Sequence, residues 1–315
     1  MKLDADVKAF LNAAQASGAP PLHEMPIAAL RRLGREAKAG MDVPRQDVHR
    51  RLDKRIPDPG GQIPLRLYWP GPIEGAAALP ALLMFHGGAF VLGGLDSFGN
   101  SARHFCNSAD VVVIDVDYRL APENKFPAAV DDCYAALCWV ARNAAELGVD
   151  RRRIAVTGGS AGATLAIVTC LLARERNGPP IALQIPVLPS LTMEPEPDYA
   201  SRRELAAPYY GLPRETINWF AELYLNKPEE ARDPRASPIL AGDYRGLPRA
   251  MVITAGFCPF RDEGMYYVER LRAAGVAVEH VCIEGAAHAP MAMAGKFACA
   301  RRGVDLVTSA LRRWL

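Results

Sequence analysis

The chain has 315 residues, half of them hydrophobic and 23% charged, which permits one large domain with an appendage and is ordinary for a soluble enzyme. Its 37 basic and 35 acidic residues leave a formal net charge of +2, which argues against a nucleic-acid partner. No run of about 18 apolar residues occurs, so the sequence predicts no membrane span.

The amino terminus and the cysteines bear on the compartment and on metal binding. Residues 1–6 contain acids where a signal peptide needs basic residues followed by an apolar core. The seven cysteines are odd in number and form no Cys-x-x-Cys pair, which is typical of reduced thiols. No two histidines share a short spacing with a third ligand. We therefore expect a cytoplasmic protein without a metal site.

Two helices are predicted ahead of the first strand. Apolar residues recur at helical spacing over residues 5–16, and a turn-forming segment follows them. A second helix is predicted over residues 26–38, with Gly40 near its end. Neither helix is long enough to be a domain. We therefore interpret residues 1–50 as cap helices laid over a core formed by residues 51–315.

Buried strands and helices then alternate along the chain. Strands are predicted at residues 65–69, 81–85, 111–115, 154–156, 181–185, 250–254 and 276–283. Helices are predicted from Pro127 to about residue 147 and over residues 164–174, 263–274 and 301–315. This alternation is typical of an α/β fold with a mostly parallel sheet and helices on both faces. Residues 191–225 interrupt it, contain a predicted helix over 214–225, and are interpreted as a second cap segment.

A Gly-x-Ser-x-Gly turn at residues 158–162 stands between a short apolar strand and a helix. Such a turn lifts its serine, here Ser160, out of the sheet on a tight bend. Gly158 and Gly162 allow the strand and the helix to approach closely. The first N–H groups of the following helix favour negative charge beside the serine. The context therefore favours a nucleophile at Ser160.

Three loops are expected to meet beyond the carboxyl ends of the parallel strands. They are the glycine-rich loop that starts at His86, the turn at Ser160 and the loop that holds His288. A serine hydroxyl needs a base to take its proton, and imidazole titrates near working pH. Backbone N–H groups of a glycine-rich loop stabilise the oxyanion that forms on an attacked carbonyl. The order of oxyanion loop, serine and histidine suits an α/β-hydrolase.

Four motifs together carry a resemblance to a known family. They are residues 86–90 (His-Gly-Gly-Ala-Phe), 118–123 (Tyr-Arg-Leu-Ala-Pro-Glu), 158–162 (Gly-Gly-Ser-Ala-Gly) and 260–263 (Phe-Arg-Asp-Glu). In this order they resemble the signatures of the hormone-sensitive-lipase family of esterases over nearly the whole chain. The resemblance implies an α/β-hydrolase fold with a helical cap and a serine carboxylesterase that favours short acyl chains. It also implies a small-molecule ester substrate, no cofactor, and a homodimer.

The same resemblance assigns roles by position. Ser160 is the nucleophile and His288 the base. The oxyanion hole is assigned to the backbone N–H groups of Gly88, Ala89 and Ala161, with Gly87 shaping the loop. His86, which precedes these donors, is expected to brace its loop by hydrogen bonding rather than to transfer protons.

The chain departs from the family pattern at three positions. Ala89 stands where the family usually has a third glycine, and Gly159 where it usually has an aspartate. Cys258 occupies the position of the triad acid. Three interpretations are open: Cys258 acts partly as a thiolate, Asp262 reaches His288 instead, or catalysis is crippled.

Two functions besides ester hydrolysis follow from these observations. In an acyltransferase of the same fold, an alcohol rather than water would resolve the acyl-enzyme. A ligand-binding relative with a disabled triad, of the kind that the plant gibberellin receptors illustrate, is favoured by the missing acid. The retained Ser160 and His288 argue against that second alternative.

Overall fold

The computed structural model describes residues 1–36, 41–58, 60–73 and 77–315. A single eight-stranded sheet forms its centre. The strands are β1 (Arg50–Asp58), β2 (Gly61–Trp69), β3 (Leu79–Phe85), β4 (Val112–Val116), β5 (Val149–Gly159), β6 (Leu183–Val187), β7 (Arg249–Phe257) and β8 (Val278–Ala287).

Ten α-helices lie in the described part of the chain. They are α1 (Ala5–Ala16), α2 (Ile27–Glu36), α3 (Gly99–Ala109), α4 (Ala128–Arg142), α5 (Ala144–Leu147), α6 (Ala161–Glu175), α7 (Ala200–Leu205), α8 (Arg214–Tyr224), α9 (Arg261–Ala273) and α10 (Ala298–Trp314). No helix in the described ranges is both long and apolar enough to cross a membrane.

The strand order is β1-β2-β4-β3-β5-β6-β7-β8. From β4 to β8 all neighbouring strands run parallel, whereas β1 and β2 pair antiparallel with each other and β2 pairs antiparallel with β4. This confirms the mostly parallel sheet that the alternating pattern predicts. Phe85 pairs with Gly158, and Phe257 with Ala287. The loops that follow β3, β5, β7 and β8 therefore emerge at the same edge of the sheet.

The sheet separates two hydrophobic cores. One core packs α4, α6 and α9 against one face, and its members include Ile167, Leu137 and Tyr267. The other packs α3, α10 and α1 against the opposite face, and its members include Phe105 and Leu311. Covering both faces explains why the parallel strands are continuous apolar runs rather than alternating ones.

The sequence-based boundaries are corrected in several places. The first predicted helix corresponds to α1, and the second to α2, although the expected end at Lys38 and Gly40 lies outside the described residues. The long helix predicted after Pro127 is two helices, because the chain leaves helical geometry at Asn143. Strand β1 and helices α3 and α7 lie outside every predicted element.

Candidate active site

Ser160 stands at a sharp bend between β5 and α6. Its φ of 55° lies in the left-handed region, and its N–H donates to the carbonyl of Val187 over 2.9 Å. The bend requires glycine on either side. A Cβ at Gly158 would lie 2.4 Å from Gly162, and a Cβ at Gly162 would lie 2.0 Å from the carbonyl oxygen of Phe85. The Gly-x-Ser-x-Gly pattern therefore reflects a backbone contact between β3, β5 and α6.

His288 follows β8 and lies between Ser160 and Cys258. Its Nε2 is 3.1 Å from Ser160 Oγ, and its Nδ1 is 3.1 Å from Cys258 Sγ. Cys258 is fully buried and its Sγ also accepts the N–H of Phe260 over 3.4 Å. The ring of Phe260 packs edge-on against the imidazole, with the centroids 5.0 Å apart. The three side chains thus have the connectivity of a nucleophile, a base and a third group that orients the base.

A thiol and a carboxylate differ in whether they fix the tautomer of His288. A carboxylate only accepts, so it holds the proton on Nδ1 and leaves Nε2 of His288 ready to take the proton of Ser160. A neutral thiol can accept from Nδ1, but it can also donate its S–H to Nδ1. In the second arrangement the imidazole proton lies on Nε2, so Nε2 cannot take the proton of Ser160. The contact between Cys258 and His288 therefore orients the ring without fixing its tautomer.

Burial sets the protonation of both groups. It raises the pKa of the Cys258 thiol to about 12, so the thiol is neutral near pH 7. Burial, and after it the positive charge of Arg202, lower the pKa of His288 to about 4. This argues against the thiolate interpretation, because neither a thiolate nor an imidazolium is favoured at neutral pH.

Asp262 and Glu263, the acids that follow Cys258, face α7 rather than His288. The Asp262 carboxylate accepts from Arg261 Nε and from the backbone N–H of Ser201, each over 2.7 Å. Glu263 is fully buried, accepts backbone N–H groups of residues 191 and 192, and pairs with Arg202 on α7. Asp262 therefore orients the chain around α7, and the interpretation in which it replaces the triad acid finds no geometric support.

The glycine-rich loop after β3 adopts a conformation that brings it against Ser160. Gly88 and Ala89 both have positive φ, 121° and 54°, so Ala89 holds a backbone geometry that glycine adopts more easily. A Cβ at Gly87 would lie 2.8 Å from the carbonyl oxygen of Gly159. The loop thus lies beside the first turn of α6, whose leading N–H groups have no acceptor within the helix.

His86 is buried beneath this loop. Its Nδ1 lies 2.9 Å from the carbonyl oxygen of Gly87, and its ring stacks on Tyr118 with centroids 4.2 Å apart. The Tyr118 hydroxyl donates to the His86 carbonyl over 2.6 Å. These contacts agree with the predicted bracing role, and they explain why the Tyr-Arg-Leu-Ala-Pro-Glu motif belongs to the same site.

Ser160 and His288 open into a cavity of about 520 Å³ whose wall is mostly apolar. Phe220 on α8 lines this cavity. The neighbouring aromatic side chains pack against other rings: Tyr210 stacks on Phe257, and Trp219 packs against Phe220. An apolar pocket with a few convergent polar groups is the usual form of a small-molecule site.

One side of the cavity mouth is formed by α2. Arg31 on this helix donates to the carbonyls of Val91 and Ala121 and pairs with Glu123 through both of its terminal nitrogens. Sequence reasoning missed this contact, because a lone Arg-Arg pair in a helix resembles a solvated face. The only sequence signal for this contact was that Glu123 ends the Tyr-Arg-Leu-Ala-Pro-Glu motif.

Comparisons with known proteins agree with this geometry. A family model described as "alpha/beta hydrolase fold" matches residues 82–292. Esterase LipI from Mycobacterium tuberculosis is 38% identical over 276 residues, which cover 86% of this chain and 85% of LipI. An ethyl acetate hydrolase from Pseudomonas putida is 34% identical over the full length of both chains. A hyperthermophilic esterase from the archaeon Pyrobaculum calidifontis superposes with a TM-score of 0.92 at 36% identity, covering 99% of this chain and 98% of its own.

Proposed function

This chain belongs to the alpha/beta hydrolase fold family, as a carboxylesterase of the hormone-sensitive-lipase type, and we propose that it hydrolyses short-chain esters through an acyl-enzyme on Ser160. The observation that carries the proposal is the 3.1 Å contact between Ser160 Oγ and His288 Nε2 at the wall of an apolar cavity. The relative from Pseudomonas putida is an ethyl acetate hydrolase, which supports a small ester as substrate.

The proposed reaction has two halves. His288 Nε2 takes the proton of Ser160 as Oγ attacks the ester carbonyl carbon, and the carbonyl oxygen becomes an oxyanion. The N–H groups of Gly88, Ala89 and Ala161 donate to that oxyanion. As the carbon–oxygen bond to the alcohol breaks, His288 returns its proton to the leaving alkoxide. Water then attacks the acyl-enzyme with the same base, which releases the acid and restores Ser160.

Cys258 has a positioning role in this proposal. Its Sγ accepts the Nδ1 proton of His288 in the productive tautomer, and the N–H of Phe260 holds the sulfur in place. A neutral sulfur stabilises the imidazolium of the transition state far less than a carboxylate does. The enzyme is therefore expected to be slower than a relative with a full Ser-His-Asp triad.

We further propose that residues 1–50 and 191–225 act as one cap over the site. One contact and one shared cavity support it. Nδ1 of His23 lies 2.8 Å from the hydroxyl oxygen of Thr216, and Leu30 and Leu212 both line the cavity. The cap closes the site against water, which favours the oxyanion contacts.

The test is covalent labelling of the nucleophile. Incubation with diethyl p-nitrophenyl phosphate should add one diethylphosphoryl group to the peptide that contains Ser160, as seen by mass spectrometry, and should abolish p-nitrophenyl butyrate turnover. The Ser160→Ala variant should be neither labelled nor active, whereas Ser309→Ala, an exposed serine on α10, should behave as the parent. Labelling elsewhere, or turnover that persists in Ser160→Ala, would contradict the proposal.

The neutral residue at position 258 is the observation that favours a ligand-binding function instead. A binding protein would take up an ester without turning it over, which calorimetry would detect as stoichiometric heat without product. An acyltransferase is favoured by the apolar cavity wall, and it would show ester exchange faster than hydrolysis when an alcohol is added to water.

A further inference from the structure

Two consecutive residues of the glycine-rich loop after β3 have a backbone geometry that a side chain disfavours. Ala89 and Phe90 have φ values of 54° and 64°, both in the left-handed region. Such residues persist only where the surrounding structure restrains them. Within the described residues, the N–H groups of Gly88 and Ala89 have no hydrogen-bond acceptor. The loop therefore holds two free donors in a conformation that its neighbours must maintain.

Part of this restraint comes from the hydrolase core. The N–H of Val91 donates to the carbonyl of Gly88 over 3.0 Å, which closes the turn. The carbonyl of Phe90 accepts the N–H of Ala121 over 2.9 Å, and the ring of Phe90 stacks on Tyr224 with centroids 3.9 Å apart. The position of Phe90 therefore depends on the position of Ala121, which belongs to another loop.

A further restraint comes from Arg31 on α2. Its Nε donates to the carbonyl of Val91 over 2.9 Å, and one terminal nitrogen donates to the carbonyl of Ala121 over 2.8 Å. The two terminal nitrogens also donate to the carboxylate of Glu123, over 2.8 and 2.7 Å, which orients the planar group. One guanidinium thus joins the residue that follows Phe90 to the residue whose N–H holds Phe90.

Arg31 differs in this respect from the arginine beside it. Its side chain is 23% exposed and lines the cavity, as does that of Leu30. The side chain of Arg32 is 64% exposed and pairs with Glu36 on the same helix. The first arginine of α2 therefore contacts the two loops of the core, whereas the second faces solvent.

We propose that Arg31 is a positioning residue, which holds the glycine-rich loop in the conformation that presents the N–H groups of Gly88 and Ala89 to the oxyanion. The inference rests on the proposed function and adds a residue of residues 1–50 to its machinery. It makes the chemical step depend on the docking of α2, because a displaced helix withdraws the guanidinium from both carbonyls at once. In this role Arg31 touches no reacting atom, so its loss should lower kcat and leave KM nearly unchanged.

The experiment compares Arg31→Ala with Arg32→Ala in the full chain. With p-nitrophenyl acetate, Arg31→Ala should lower kcat about tenfold to a hundredfold, which approaches the loss of one oxyanion donor. Its KM should change less than about threefold. Arg32→Ala removes a side chain of the same size from the same helix and should keep both constants of the parent.

Inhibition by butyl trifluoromethyl ketone gives a readout that a merely structural role would not move. Ser160 Oγ adds to the carbonyl carbon of this ketone, the serine proton passes to His288, and the carbonyl oxygen becomes an oxyanion. The adduct therefore resembles the transition state rather than the ester. In Arg31→Ala the Ki of the ketone should rise by the same factor by which kcat/KM falls.

Arg31→Lys separates geometry from charge. Lysine keeps the positive charge, but it lacks the planar fork that reaches two carbonyls and a carboxylate together. The kcat of Arg31→Lys should therefore stay closer to that of Arg31→Ala than to that of the parent. Recovery of the parent kcat by lysine would contradict the inference, because charge alone would then be sufficient.

Two other results would overturn the inference and leave the proposed function in place. One is equal kcat and Ki values in Arg31→Ala and Arg32→Ala. The other is a change of KM alone with an unchanged Ki, which would make Arg31 a contact of the substrate.

Hydrolysis of p-nitrophenyl acetate that persists in Ser160→Ala would instead contradict the proposed function. The loop is then tested without turnover, by hydrogen–deuterium exchange in the Ser160→Ala background. Peptides that cover residues 86–93 should exchange faster when Arg31→Ala is added and at the unchanged rate when Arg32→Ala is added. Equal exchange in the two double variants would overturn the restraint by Arg31.

Discussion

The two partners of His288, Ser160 and Cys258, are held in place by different constraints. On the nucleophile side, Ser160 is held by backbone contacts so close that Gly158 and Gly162 have no room for a Cβ atom. On the acid side, Cys258 keeps its place and its contact with the imidazole, although its chemistry differs from that of a carboxylate. Steric constraint excludes residues other than glycine at positions 158 and 162. Position 258 accommodates a neutral thiol, which we expect to lower the rate.

The largest effect is expected when a carboxylate replaces the thiol at position 258. Cys258→Asp should raise kcat by up to about 10⁴, because a carboxylate fixes the productive tautomer of His288 and stabilises its cation. Steady-state hydrolysis of p-nitrophenyl butyrate measures this. Cys258→Asn is the matched control, since a neutral amide of similar size should give no such increase. An unchanged kcat in Cys258→Asp would show that another group already orients the imidazole.

A change on the nucleophile side should act through the backbone instead. Gly162→Ala would bring its Cβ within 2.0 Å of the carbonyl oxygen of Phe85. We expect it to lower the free energy of unfolding by about 3 kcal/mol or more and to remove activity. Urea unfolding measures the first effect. Gly159→Ala has no atom within 4 Å of the added Cβ and should leave that free energy unchanged or slightly higher. Equal stabilities of the two variants would contradict the steric interpretation.

The pH dependence should separate the parent from the repaired site. Since burial lowers the pKa of His288 to about 4, the imidazole stays neutral, and kcat/KM of the parent should be retained down to pH 5 and fall only near pH 4. A carboxylate in Cys258→Asp favours the imidazolium, so its acid limb should move to higher pH. The pH profile of p-nitrophenyl acetate hydrolysis measures both limbs. If the acid limbs of the parent and of Cys258→Asp coincided near pH 6.5, that result would contradict a lowering of the pKa of His288 by burial.

The smallest expected effect lies in the glycine-rich loop after β3. Ala89 has a φ of 54°, which is unfavourable for a residue with a Cβ, so Ala89→Gly should change the free energy of unfolding by about 1 kcal/mol at most. Because the backbone N–H is kept, kcat should change less than threefold. The same assays measure both. Gly88→Ala is the contrast, since its Cβ would lie 2.2 Å from the carbonyl oxygen of Leu92 and should disable the loop.

Most of the sheet could be predicted because buried parallel strands are continuous apolar runs. Strand β1 was missed because it is an exposed edge strand with charged residues, in which Ile56 is the buried hydrophobic side chain. Helix α3 was missed because its composition is polar. Its first N–H groups, those of Asn100 and Ser101, are bonded by the carboxylate of Asp42, which is distant in sequence. A carboxylate that caps a helix from a distant segment leaves no signal in the sequence of the helix itself.

The sequence by itself determined the tight turn at Ser160 and the order of the three loops. Both depend on local requirements: glycine spacing at a tight bend, and apolar strands that end where the loops begin. Only the tertiary structure decided that Cys258 contacts His288 while Asp262 faces Ser201. These contacts join residues far apart in the chain, and their geometry depends on how helices pack on the sheet. Residue spacing carries no information about that packing.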